Sequence, residues 1–98
     1  MKMLFVLAGS PFTADYLSLV RLAGEARAAG HEVFVFCLAE GIYALSQPEL
    51  AQITVAYCGH NAAQRGWKEG EGSRQRQSLP ELAELISRSD RCLYFPGS

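Results

Sequence analysis

Hydrophobic residues fall along the chain in two alternating patterns, short unbroken runs and longer stretches with helical spacing. Leu4-Phe5-Val6-Leu7 is an unbroken apolar run stopped by Gly9-Ser10-Pro11, as expected of a strand buried on both faces of a parallel sheet. From Thr13 to Ala29, apolar or small residues recur at Tyr16, Leu19, Val20, Ala23 and Ala26, which predicts a helix. Gly30 then occupies the position of a left-handed cap. Glu32 to Cys37 is again strand-like. Gly41 to Ser46 has room for a turn or two of helix before Pro48 stops it. A third strand is expected over Ile53 to Tyr57, followed by a short helix over Gly59 to Arg65 that Gly66 ends.

Residues 68 to 78, KEGEGSRQRQS, hold no apolar side chain and are expected to form a solvated, mobile loop that is dispensable for folding. The pattern resumes at Ser78-Leu79-Pro80-Glu81, which carries the capping-box signature of a helix start. Leu82, Leu85 and Ile86 form the expected buried stripe, and Arg91 to Phe95 is the last strand. Strands separated by helices pair in parallel through right-handed crossovers. The expected architecture is therefore an α/β fold, a single domain over residues 1–98 with an open, mainly parallel sheet of four or five strands.

Composition narrows the function. Nine Lys and Arg against ten Asp and Glu give a net charge of −1, with no basic surplus for a nucleic-acid backbone and no strong field for an anionic membrane. No apolar run is long enough for a membrane span, and the run after Met1 is too short for a secretory leader. Three cysteines at uneven spacing suit neither a disulfide framework nor a zinc knuckle, so reduced thiols in a cytoplasm are expected, with no metal and no organic cofactor.

The architecture sorts those cysteines. Ligands and reactive groups gather at the carboxyl ends of strands in open parallel sheets, and Cys58 is the first residue past such an end. Cys37 continues the Val33–Phe36 run as a small hydrophobe, and Cys92 opens the last strand at the opposite edge. Cys58 is either an inert filler or a thiol favoured as thiolate by the N–H groups of the helix that follows. Gly59 would leave the approach to sulfur open. His60 and Asn61 stand in the first turn as hydrogen-bonding or proton-transfer groups, or as solvated residues, and Arg65 stands near the helix end. A weaker feature, Gly9-Ser10-Pro11 before the long helix, would serve a nucleotide- or phosphate-binding protein, without a GxGxxG or Walker pattern behind it.

Several stretches together resemble the DsrE/DsrF-like family: MKMLFVLAGSPF through ARAAGHEVFVFCLAEG, the strand-Cys58-Gly59 junction, Arg65-Gly66, LPELAELI and SDRCLYF. The resemblance spans nearly the whole chain. It implies a flavodoxin-like subunit that assembles into homotrimers or homohexamers. It also implies a cysteine after the third strand, matching Cys58, that carries sulfur as a persulfide between donor and acceptor proteins, a sulfurtransferase activity. The alternative within the same fold is a non-catalytic oligomeric subunit or regulatory binding module with an inert Cys58. Two departures bear on this. Where some relatives have a second cysteine three residues on, this chain has Asn61, which removes a CxxC dithiol cycle. Where relatives have a short apolar strand before the LPEL helix, it has EGSRQRQ. Part of an oligomer interface is expected around Leu38, Ile42, Tyr43, Leu45 and Leu50, the alternative being that these residues fold back onto the sheet of their own subunit.

Overall fold

The computed structural model describes residues 1–67 and 74–97. Strands β1 (Lys2–Leu7), β2 (Glu32–Cys37), β3 (Thr54–Cys58), β4 (Gln75–Gln77) and β5 (Arg91–Phe95) form one sheet in the order β4-β3-β2-β1-β5, with every pair parallel. The helices are α1 (Ala14–Ala28), α2 (Gly59–Gln64) and α3 (Leu79–Arg88), and two 3₁₀ turns, Ala39–Ala44 and Pro48–Leu50, link β2 to β3.

The order of strands explains the layers. From β1 the chain steps through β2 and β3 to β4 in one direction, and right-handed crossovers place α1, the 3₁₀ turns and α2 on one face. From β4 it returns across the whole sheet to β5, so the same handedness puts α3 on the other face. The core divides accordingly. Phe5, Leu7, Val35, Val55 and Phe95 pack under Tyr16, Leu19, Ala23, Ile42 and Leu50, whereas Leu4, Val6, Phe36, Ala56 and Cys58 pack under Leu82 and Leu85 of α3.

Local signals hold at the helix ends. The Thr13 hydroxyl oxygen accepts from the Tyr16 N–H at 3.3 Å, and Gly30 has φ +89°, a conformation that costs glycine little. At α3 the box is complete: Ser78 Oγ accepts from the Glu81 N–H, and Glu81 Oε1 accepts from the Ser78 N–H at 3.0 Å. The stripe on α3 is thinner than expected, however. Leu82 and Leu85 are half-buried, and Ile86 is 44% exposed, because among the described residues α3 is the one helix on a five-stranded face.

Two expectations need correction. The expected solvated loop is not one throughout: residues 68 to 73 lie outside the described part, but Gln75–Gln77 form β4 against β3, with Ala56 opposite Gln75 and Cys58 opposite Gln77. Arg74 anchors this strand by donating to the carbonyls of Leu45 (3.2 Å), Leu50 (3.0 Å) and Ile53 (3.4 Å). It thereby satisfies backbone acceptors at the ends of the 3₁₀ turns. The second correction concerns the expected interface. Ile42, Leu45 and Leu50 are buried in the core of their own chain, under the α1 face, and leave only Tyr43 well exposed.

Candidate functional site

Cys58 ends β3 and is at once the N-cap residue of α2, with extended backbone at φ −73° and ψ 114°. Only 2% of it is exposed, and it lines an open cleft of about 620 Å³. The walls come from three segments. The start of α2 supplies Gly59, His60 and Asn61, β4 supplies Arg76 and Gln77, and the cap of α3 supplies Ser78 and Glu81. The other two thiols are placed differently. Cys37 is fully buried on the α1 face, where burial pushes its thiol up to about 12 against the smaller opposing pull of Arg74. Cys92 is exposed at the amino edge of β5, and partial desolvation raises its thiol.

The residues around Cys58 have distinct roles. His60 is exposed on the cleft wall. Asn61 also lines the cleft, but its Oδ1 accepts from the Ala39 N–H at 2.8 Å. Ala39 has φ +49°, which is costly for a residue with a Cβ, so Asn61 fixes a strained turn just past β2. Arg65 lies outside the cleft lining. Its Nη2 pairs with Glu40 Oε1 at 3.0 Å and its Nη1 donates to the Asn61 carbonyl at 3.3 Å, tying α2 to the same turn. The space that a side chain at Gly59 would fill is occupied. A Cβ there would stand 2.9 Å from both Cγ and Cζ of Arg76, and nearer still to its Nε, so the glycine makes room for the arginine.

Arg76 and Gln77 are the cleft residues that the pattern of apolar positions does not reveal, since both lie in a polar segment. The signal that finds them is topological: α2 and α3 cannot both be crossovers of a parallel sheet without a strand between them. Gln77 adds an unusual detail. Among the described residues its Oε1, on the residue paired with Cys58, is buried without a hydrogen-bond partner.

The Gly9-Ser10-Pro11 loop is built otherwise. It lies where the sheet order reverses, between β1 and β5, the usual ligand crevice of an open α/β sheet. Here Gly9 packs against Gly97, and a Cβ on Gly9 would stand 2.9 Å from the Gly97 nitrogen. Ser10 Oγ accepts from the Phe12 N–H, the Thr13 hydroxyl donates to the Ser10 carbonyl, and Asp15 accepts from the Gly97 N–H at 2.8 Å. A carboxylate in the first turn of α1 is a poor companion for a phosphate. Among the described residues no group of three or more His, Cys, Asp or Glu is placed to hold a metal, and no helix is long and apolar enough to cross a membrane.

No family model matches the chain, and no curated protein sequence matches it significantly. Among solved structures, the chain is similar to the crystal structure of the YchN protein from E. coli, with a TM-score of 0.76 and 20% identity over 97% of this chain and 100% of that one. At that identity the likeness establishes the fold, a parallel α/β sheet flanked by helices, over essentially the whole of both chains.

Proposed function

We propose that the chain is a sulfur-relay protein in which Cys58 accepts sulfane sulfur as a persulfide and passes it to an acceptor thiol. The observation that carries this reading is the position of Cys58. It lines an open cleft at the carboxyl end of a parallel strand, whereas Cys37 is sealed in the core and Cys92 lies at the amino edge. Attack of a thiolate on a sulfur–sulfur bond is the substitution of disulfide exchange and needs an approach to sulfur and a leaving group. The family resemblance and the likeness to the YchN fold support the same reading. Asn61 stands where a second thiol would be needed for a dithiol cycle, which leaves Cys58 as the one sulfur carrier at this junction.

Mass spectrometry of the native protein after exposure to a small persulfide donor tests it. The Cys58 peptide should gain one sulfur atom, lose it to a dithiol reductant, and gain none in Cys58→Ser. The second reading, a non-catalytic subunit or regulatory module, draws on the 2% exposure of Cys58. A protein that takes up no sulfur, or takes it up on Cys92, supports that reading and overturns the first.

Under the sulfur-relay reading the chain also assembles with its own copies, as a trimer or hexamer. What supports this is apolar surface left uncovered at Phe12, Leu79, Ile86 and Tyr94. A light-scattering mass equal to one chain refutes it.

A further inference from the structure

Arg76 stands on β4 opposite Tyr57, one residue before the Gln77 that pairs with Cys58. Its side chain lies over Gly59, close enough that a Cβ on that glycine would collide with Cγ, Nε and Cζ. The guanidinium is thereby held above the residue that follows Cys58, inside the cleft that the thiol lines. The carboxylate in the same cleft, Glu81, is turned toward the helix cap: its Oε1 accepts from the Ser78 N–H at 3.0 Å and from Ser78 Oγ at 2.9 Å. His60 is the other ionisable group on the wall. Arg76 has a further interaction of its own. A guanidinium nonetheless presents five N–H donors in a planar fork, enough to serve that partner and an oxyanion together.

We propose that Arg76 is the specificity-determining residue of this cleft and selects sulfur donors that carry negative charge beside the transferable sulfur, the thiosulfonate class. The proposal rests on the sulfur-relay reading. The Cys58 proton goes to water, and the thiolate attacks the sulfane sulfur of an S–SO₃ group. A new sulfur–sulfur bond forms on Cys58 while the bond to the sulfonate sulfur breaks, and its electron pair leaves on sulfite. Charge balances, with an anionic persulfide and sulfite as products. The oxidising equivalent is that of the donor's own sulfane sulfur, so no other oxidant enters. Arg76 contributes by pairing with the sulfonate oxygens, a match of shape and charge that neutral donors lack.

The test uses the full chain carrying Cys92→Ser, so that the exposed thiol does not compete. Alkylation of Cys58 by iodoacetate, an anion, is compared with alkylation by neutral iodoacetamide. Arg76→Gln should lower the iodoacetate-to-iodoacetamide rate ratio by about three- to tenfold at low salt. The difference should shrink at roughly 0.5 M salt, where screening is strong. A merely structural role would move both rates together. Gly59→Ala keeps the charge but displaces the side chain, and should lower the same ratio. An unchanged ratio in Arg76→Gln overturns the proposal whatever the fate of the sulfur-relay reading. Thiosulfate, the simplest member of the class, should then add one sulfur to Cys58 in the parent protein and much less in Arg76→Gln. A protein that accepts sulfur from a persulfide donor lacking a sulfonate but none from thiosulfate keeps the relay reading and overturns the donor class.

Discussion

Cys37 and Cys58 end neighbouring strands, one register step apart, and meet opposite fates because they point to opposite faces. Cys37 faces α1 and two 3₁₀ turns, which together bury it completely and hold its proton. Cys58 faces the side that α3 covers, with Leu38 beside it, and there the cover ends at the carboxyl edge in a cleft. The difference comes from chain topology. Three successive crossovers load one face, and a single return crossover has to serve the other. A thiol buried on the loaded face is packing, and the same thiol on the thin face has an approach.

The sharpest way to break this contrast is to cut equal side chains from the two covers. Leu19 of α1 is fully buried, so Leu19→Ala should cost about 2–5 kcal/mol, the range for a core leucine that leaves a cavity. Leu85 of α3 is only half-buried, and Leu85→Ala should cost about 1 kcal/mol. Urea unfolding of the two variants checks both values. Equal losses would mean that α3 is as well packed as α1. By the same reasoning Ile42→Asp with Leu45→Asp should unfold the chain rather than dissociate an oligomer, because both side chains lie in the loaded core.

The loaded face was also the more legible one in sequence. Leu4–Leu7 and Val33–Cys37 are apolar on both sides, which only strands buried on two faces need, and Tyr16, Leu19, Ala23 and Ala26 repeat at helical spacing between Thr13 and Gly30. Cys58 could be placed because a strand and a helix start meet there. Segments of five or six residues such as Gly41–Ser46 carry too little period to say whether Ile42 and Leu45 point inward or outward. β4 was illegible for another reason. An edge strand of three residues is held by backbone pairing and by the Arg74 guanidinium, neither of which requires an apolar side chain. The cleft wall formed by Arg76 and Gln77 was lost with it. Asn61, which lines the cleft, also secures the turn at Ala39, and Arg65 pairs with Glu40 of the same turn, long-range roles that sequence separation conceals.

Alkaline pH sharpens the comparison next. The Cys37 thiol is raised by burial from its ordinary value of 9.0 to about 12. The folded chain therefore keeps this proton where the unfolded chain has lost it. The associated stability is fully present below pH 9 and is lost as pH rises toward 12, by about 1 kcal/mol per pH unit. Tyr16, raised by burial and by its 2.7 Å hydrogen bond to Glu49, adds loss of the same sign. Cys37→Ala should be less stable than the parent at pH 8 but lose less between pH 9 and 11 in denaturant titrations. Parallel curves for the two proteins would remove Cys37 from the alkaline transition.

The smallest expected effect lies on the thin face itself. Gln77 pairs with Cys58, and its buried Oε1 has no hydrogen-bond partner among the described residues, a defect that costs about 1–3 kcal/mol when no water relieves it. The strand neighbours on that side, Ala56 and Cys58, are buried and nonpolar, so a leucine in place of Gln77 would extend an apolar floor. Gln77→Leu should raise stability by about 1 kcal/mol, read as a higher urea midpoint with an unchanged slope. A chain under no functional demand at this position would have little reason to keep the orphaned carbonyl. If the cleft serves sulfur uptake at Cys58, the stabilised variant should take up persulfide sulfur more slowly than the parent. A Gln77→Leu protein that is destabilised would instead mean that solvent already satisfies Oε1, and the wall beside Cys58 would then be wetter than its burial suggests.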